Sequence, residues 1–337
     1  MFKTFATCAL AAVASAEVMN SGEYDFMRWI SKHNKSYGTR EEYMVRLARF
    51  IRADVHIKKV NAAGSGYSHR AAHNKFSDYT EAEYERMLTR KTTATEAVPI
   101  STLTQNLKAA PASVDWRTSG CVTPVKDQGS CGSCWAFSVT ETNETSNCIN
   151  GNPLLTLSPQ QLVDCVTMYN GCDGGDYWGA WAYGETSGQE LESAYPYKAV
   201  QGTCKYNNAD GKVGTIKNNP SVRAGVFGGA TNAEMMTTIS VKSNAVGINA
   251  SGINFQTYSS GVLETCSRTG MNHAVVADGY DSTGASPYWN VRNSWGSGWG
   301  EGGYIRIGMG TEGSIANNGK GLCGINQDVG YPNTKPW

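Results

Sequence analysis

No cysteine lies between Glu17 and Gly120, although the chain carries ten. That stretch therefore has no covalent staple, and its fold must rest on packing. Net charge is missing too: 29 Lys and Arg balance 29 Asp and Glu. This excludes the one-signed field expected of a nucleic-acid binder or of a protein held to anionic lipid. Internal repeats and low-complexity tracts are absent. The one N-terminal apolar run, Phe5 to Val13, is too short to span a bilayer. Histidine is scarce. His33, His56, His69 and His73 precede Cys121, and only His273 follows it. Any chemistry in the second part that needs a base with a near-neutral pKa falls to that residue.

What is present divides the chain of 337 residues. A basic start at Met1-Phe2-Lys3, the apolar run and Ala14-Ser15-Ala16 read as a secretory signal peptide over residues 1–16. Removing Cys8 with it leaves nine cysteines, an odd number for an exported chain, so one thiol is expected to be free and reactive. Abundant glycine, 38 residues, predicts many turns and close backbone approaches. From residue 17 to 109 the pattern is helical. Phe26, Trp29 and Ile30 share a face, and Glu42, Arg46, Phe50, Ile57 and Asn61 form one stripe of a long helix that Gly64-Ser65-Gly66 ends. Tyr67 to Asp78 is expected to be a strand, and Thr80-Glu81-Ala82-Glu83 reads as a capping-box start to a short helix. Residues 91–109 read as an exposed linker. This part is expected to be removable; an ordinary helical domain is the alternative.

Residues 110–337 have a different grammar. Gln128-Gly129-Ser130-Cys131-Gly132-Ser133-Cys134 is a glycine-bearing turn that runs straight into the apolar Trp135-Ala136-Phe137. Cys134 then sits at a helix N-terminus, where outward N–H groups and the macrodipole favour a thiolate. Ser158 is expected to cap a helix from Pro159, and an aromatic helix to run through Trp178 and Trp181. After about residue 219 short strands take over: Val246 to Ala250, His273 to Tyr280, Tyr288 to Arg292 and Gly303 to Ile307. A helical half followed by a stranded half predicts an α+β fold of two lobes around a cleft. His273 opens one strand, and Asn293 in Arg292-Asn293-Ser294-Trp295-Gly296 follows another, able to orient an imidazole.

Cys131-Gly132-Ser133-Cys134-Trp135, with His273 139 residues and Asn293 159 residues beyond Cys134, resembles the papain-like cysteine proteases, of cathepsin proenzyme type. The resemblance implies a helical left lobe, a β-barrel-like right lobe and a mainly helical inhibitory prosegment. It makes Cys134 the nucleophile, His273 the general base and acid, Asn293 the orienting residue and Gln128 an oxyanion-hole donor beside the Cys134 N–H. The cysteine and histidine would rest as a thiolate–imidazolium pair. No metal and no cofactor is implied. Three disulfides follow, Cys131–Cys172, Cys165–Cys204 and Cys266–Cys323; arithmetic adds Cys121–Cys148 and leaves Cys134 free. The prosegment motifs match except that Ala53 stands for a usual asparagine and Ala72 for a usual glycine, and acid would release the segment through protonation of Asp78 and its neighbours, with a cut near Lys108 to Pro111.

The same resemblance places Gly174, Gly175, Asp176, Tyr177, Gly247, Met271, Asn272, Ala274, Trp295 and Asp328 along the substrate cleft. The pocket for the residue two before the cut contains Asp176 and Asp328, where relatives are mostly apolar, so a preference for arginine or lysine is expected. The expected protein is a monomeric endopeptidase of the secretory pathway, destined for a lysosome, a digestive vacuole or the exterior. Its partners are peptide substrates and its own prosegment, with no nucleic acid and no membrane span. Two rivals remain: a thiol–disulfide oxidoreductase using Cys131 and Cys134, and a non-catalytic binding protein of the same fold. Of three glycosylation sequons, at Asn34, Asn143 and Asn249, only Asn34 is expected to be exposed.

Overall fold

The computed structural model describes residues 21–91, 108–216, 229–266, 270–310 and 321–337. It begins with helices α1 (Ser21–Lys32) and α2 (Arg40–Asn61), whose Phe26, Trp29, Leu47 and Phe50 form one buried cluster. The Thr39 side chain caps α2 by accepting from the Glu42 N–H, and Gly64 at φ +69° turns the chain away after it. Ala53 lies on the buried face of α2. Arg46 on α2 holds Glu83 through two hydrogen bonds of 2.5 and 2.7 Å. That bond to Arg46 holds the Glu83 carboxyl down at about 2.

The strand expected over Tyr67 to Asp78 is shorter. Only β1 (His69–Ala71) pairs, because the next residues are bound by side chains instead. Asn74 Oδ1 accepts from the Phe76 N–H at 3.0 Å, and Ser77 Oγ accepts from the Asn74 N–H at 3.1 Å, so the chain curls into a turn. Thr80 and Glu83 form the expected capping box on α3 (Glu81–Glu85).

The second part is organised around α4 (Cys134–Ile149), buried at every residue from Cys134 to Asn147. Beside it lie α5 (Pro159–Cys165), capped by Ser158, and α6 (Tyr177–Gly184). Two buried acidic residues of α4 face cations: Glu144 holds Lys126 at 2.8 Å, and Glu141 lies 3.5 Å from Arg292. Opposite stands a sheet containing β2 (Ser113–Asp115), β4 (Asn244–Ile248), β5 (Tyr258–Leu263), β6 (His273–Asp281), β7 (Tyr288–Arg292), β8 (Tyr304–Gly308) and β9 (Val329–Gly330), while β3 (Val213–Thr215) pairs apart from it with β10 (Thr334–Pro336). The order is β1-β5-β8-β7-β6-β4-β9, with β2 also on β6.

The architecture is the expected α+β arrangement of two lobes. Among the described residues the sheet of the right lobe does not close, since β1 covers one edge, the two-residue β9 ends the other, and no ladder joins them. The stranded half also holds a helix, Asn232–Val241, started by a second capping box from Thr231 and Glu234. Ser138 Oγ on α4 donates to the Val275 carbonyl on β6 at 3.2 Å, so the two lobes meet along these elements.

The structure joins Cys121 to Cys148, Cys131 to Cys172, Cys165 to Cys204 and Cys266 to Cys323, leaving Cys134 free and buried. Cys131 is thus committed elsewhere, and Cys131 and Cys134 form no dithiol pair. Asn34 is exposed, whereas Asn143 and Asn249 are buried. No helix among the described residues is long and apolar enough to cross a membrane.

Candidate active site

Cys134 is the first residue of α4. The turn before it is pinned by the Cys131–Cys172 disulfide and by the Gly132 N–H, which donates to the Cys172 carbonyl at 2.9 Å. Gln128 is held on both sides. Its N–H donates to the Ser294 carbonyl at 2.8 Å, and its Oε1 accepts from Ser294 Oγ at 2.7 Å. This fixes the amide so that Nε2 points across the turn, donating to the Cys131 carbonyl at 3.0 Å and to the Met87 carbonyl at 3.2 Å.

His273 is the first residue of β6, and its Nε2 lies 2.8 Å from Asn293 Oδ1. Asn293 is itself anchored by its N–H to the Gly303 carbonyl, and its Oδ1 also accepts from the Ser294 N–H. The Trp295 ring lies 5.0 Å from the imidazole, screening the His273–Asn293 bond. Nδ1 has no partner among the described residues, which leaves that nitrogen for proton exchange.

The cleft is filled by the chain's own prosegment, lying through it backwards as the resemblance implies; the residues that do so, 87–91, were not singled out in the sequence. Burial pushes the Cys134 thiol up, against the backbone N–H of Ala274, the charge of Arg90 and the N–H groups of Thr89 and Trp135. Burial also pushes His273 down to about 4, against the bond to Asn293. In this closed form burial therefore disfavours the charged form of both groups.

Arg90 carries the closure. Its Nε donates to Asp176 Oδ1 at 3.2 Å, its Nη2 bonds Asp328 Oδ2, and the guanidinium stacks 4.8 Å from the Tyr177 ring centre. Arg90 and Asp176 are wholly buried and Asp328 nearly so. Burial opposes the Arg90 charge, yet Tyr177 and the carboxylates of Asp328 and Asp176 outweigh it and hold the guanidinium protonated. Nη1 reaches the Met271 sulfur, and any Cβ at Gly247 would collide with the guanidinium. Trp178, which the sequence reading placed in an aromatic helix but not at the site, donates Nε1 to Asp328 Oδ1 at 3.1 Å and so leaves the other oxygen for Arg90. Its only sequence signal was its place two residues after Asp176.

The backbone of this segment is clasped as well. The Arg90 N–H donates to the Asn272 carbonyl and the Lys91 N–H to the Gly175 carbonyl, both at 3.0 Å. Thr89 Oγ1 donates to the Gly132 carbonyl at 2.6 Å, and the Thr89 carbonyl passes so close to Gly174 (φ +115°) that no side chain fits there. The order along the cleft matters. Met87 lies at Gln128 and Arg90 between Asp176 and Asp328, so the pocket residue follows the residue at the expected oxyanion donor instead of preceding it. Cys134 meets the N–H of Thr89, and the segment runs opposite to the direction implied for a substrate.

Two family descriptions match. Papain family cysteine protease covers residues 110–333, and the cathepsin propeptide inhibitor domain covers residues 26–84. A cathepsin L-like proteinase of Fasciola hepatica is 36% identical over 94% of this chain and 95% of its own length. Digestive cysteine proteinase 1 of Homarus americanus is 37% identical over 89% of this chain and 92% of its own. Among solved structures, digestive procathepsin L 3 of Tenebrio molitor larval midgut aligns over 93% of this chain and 99% of its own, with a TM-score of 0.77 and 31% identity.

Proposed function

Since the chain belongs to the papain family of cysteine proteases and carries that family's propeptide, we propose that it is an endopeptidase zymogen with a preference for arginine or lysine two residues before the cut. The observation behind the preference is Arg90, buried between Asp176 and Asp328 against Tyr177. An apolar pocket would not accept a guanidinium without paired carboxylates.

The proposed chemistry uses four residues. Once uncovered, the Cys134 sulfur gives its proton to His273 and attacks the peptide carbonyl. Gln128 Nε2 and the Cys134 N–H receive the oxyanion, as Gln128 Nε2 already does the Met87 carbonyl. The His273 imidazolium protonates the departing amine, leaving a thioester. Water, deprotonated by His273, attacks the thioester and restores the thiol. Asn293 keeps the ring aligned through its 2.8 Å bond to Nε2. Trp295 covers that bond.

The proposed mature enzyme is residues 110–337, acting as a monomer after loss of residues 1–16 and 17–109. Its route is the secretory pathway, ending in a lysosome, a digestive vacuole or outside the cell; the digestive names of two similar proteins support this. Burial that disfavours both charges in the closed chain fits an enzyme silent until acidification. Asp78, which accepts from Lys35 Nζ at 3.1 Å and Tyr37 Oη at 2.9 Å, is proposed to contribute to that response. Its Asn variant is expected to change the pH profile of maturation, and an unchanged profile removes Asp78 from the mechanism.

The test of the whole reading is acid treatment of purified zymogen. Chain length is followed together with cleavage of a pair of fluorogenic peptides, arginine or leucine at the pocket position. Loss of about the first hundred residues should accompany thiol-dependent cleavage, with kcat/KM for arginine exceeding leucine by at least about tenfold. Equal rates on the two peptides would dismiss the basic preference while leaving the protease intact.

A further inference from the structure

We propose that His69 is an acid sensor of the zymogen: protonation of this imidazole, walled into the seam between prosegment and catalytic domain, parts β1 from β5 and starts release. The inference rests on the N-terminal part being the inhibitory prosegment. It is independent of the pocket's preference for basic residues.

The seam is small. β1 pairs antiparallel with β5, His69 opposite Gly261 and Arg70 opposite Ser260. Ser68 Oγ donates to the Val262 carbonyl at 2.8 Å, and the Ala72 N–H to the Thr257 carbonyl at 2.9 Å. This is the prosegment's one strand in the catalytic sheet among the described residues. His69 opens it, 1% exposed, with neither ring nitrogen hydrogen-bonded among the described residues. A neutral imidazole tolerates such a site poorly, and an imidazolium with two unmet N–H donors far less.

Among the described residues no unpaired carboxylate faces the ring to offset a positive charge. From just before β1 comes Tyr67, edge-on at 5.4 Å, and from β1 comes Arg70, whose exposed guanidinium turns to the Asn61 carbonyl. From β5 comes Tyr258 at 6.2 Å, whose hydroxyl is spent on the Gly261 carbonyl. Glu301 lies behind Gly261, accepting its N–H, and is neutralised by Arg306 at 2.6 Å. From α2 comes His56, with Lys59 and Arg52 adding positive charge beside it. Burial, then His56, pushes His69 down to about 4.

The sign follows. A free histidine titrates near 6.5, so the released segment binds a proton that the docked one refuses. Docking is intact above about 6.5 and weakens as pH falls from there to about 4. Burial lowers His56, His73 and His33 as well, so four imidazoles of the prosegment act in the same direction. Glu83, held at about 2 by Arg46, stays ionised through that range.

The experiment uses the full-length zymogen with Cys134→Ala, which cannot process itself. Hydrogen exchange is read at the Tyr258–Leu263 amides, and variants are compared at each pH so that intrinsic exchange cancels. With His69→Phe, protection should match the parent near pH 7 and exceed it by roughly 80-fold near pH 4.5, the ratio set by pKa values of about 6.5 and 4. His69→Lys should open the seam already near pH 7. Protection that falls as steeply in His69→Phe as in the parent overturns the proposal, and loss of the pH dependence in Asp78→Asn alone moves the trigger there. Should His69→Phe be unprotected at neutral pH, the His69 ring signal in the parent decides by NMR. Titration near 4 in the closed chain supports the sensor; titration near 6.5 ends it.

Discussion

Cys134→Ala is expected to lower kcat/KM of the uncovered enzyme by at least about 10⁴-fold while peptide affinity stays within a few-fold. The sulfur has no substitute, since the other eight cysteines of the second part are paired in disulfides. His273→Ala should cost a similar factor, also in kcat, and the double variant should be hardly worse than either single one. The two residues perform one proton transfer, and removing half of a unit removes the unit. Asn293→Ala should cost less, about 10- to 100-fold, and should also distort the pH–rate profile, because the imidazole keeps its place but loses the acceptor at Nε2. The kinetics must be read after the prosegment is removed by an added protease, as Cys134→Ala cannot mature alone. The closed chain supplies a second readout. Burial there favours thiol over thiolate and imidazole over imidazolium, so alkylation of Cys134 should be slow until the prosegment leaves. Residual activity within about a hundredfold of the parent would mean that Cys134 is not the nucleophile.

What could be read in the chain beforehand divides along physical lines. Elements with a local cause were legible: the helix behind Cys134, the Ser158 cap with Pro159 behind it, the Thr80–Glu83 box and the strand at Tyr288–Arg292 all lie where propensity and capping put them. Features decided at long range were not. The residues after β1 curl because Asn74 and Ser77 side chains take the backbone donors that a strand would have used, and alternation in sequence cannot reveal that competition. Whether strands close into a barrel depends on which edges meet, and here β1, from another part of the chain, covers one of them. The helix at Asn232–Val241 sits among strands, and its Thr231–Glu234 box was the overlooked local signal. At the site, the pocket carboxylates were legible through resemblance, and their occupant was not. Arg90 lies 86 residues from Asp176 and 238 from Asp328, and no local pattern links them.

The second large effect concerns that occupant. Asp328→Leu is expected to lower kcat/KM for an arginine-bearing peptide by about 10²- to 10³-fold, since removing one partner of a buried ion pair costs at least about 3–4 kcal/mol. The leucine-bearing peptide should lose little or gain. Asp176 is the less clean target, because its Oδ1 also accepts from the Tyr177 N–H at the start of α6, so its loss mixes charge with helix capping. The same pocket holds the prosegment, and Asp328→Leu should therefore loosen the zymogen, visible as activity at neutral pH before any cut. Arg90→Leu alone should loosen it too, by leaving Asp176 and Asp328 buried without their cation. The two substitutions together should restore much of the closure, because leucine then meets a pocket with one charge fewer, and the coupling in that cycle should be of the order of the pair itself. A merely steric plug would give additive losses. Additivity, with an unchanged arginine-to-leucine ratio in the mature Asp328→Leu enzyme, would mean that closure and specificity have separate origins; strong coupling together with a shifted ratio would mean that the prosegment holds the cleft shut by the same ion pair with which the enzyme selects its substrates.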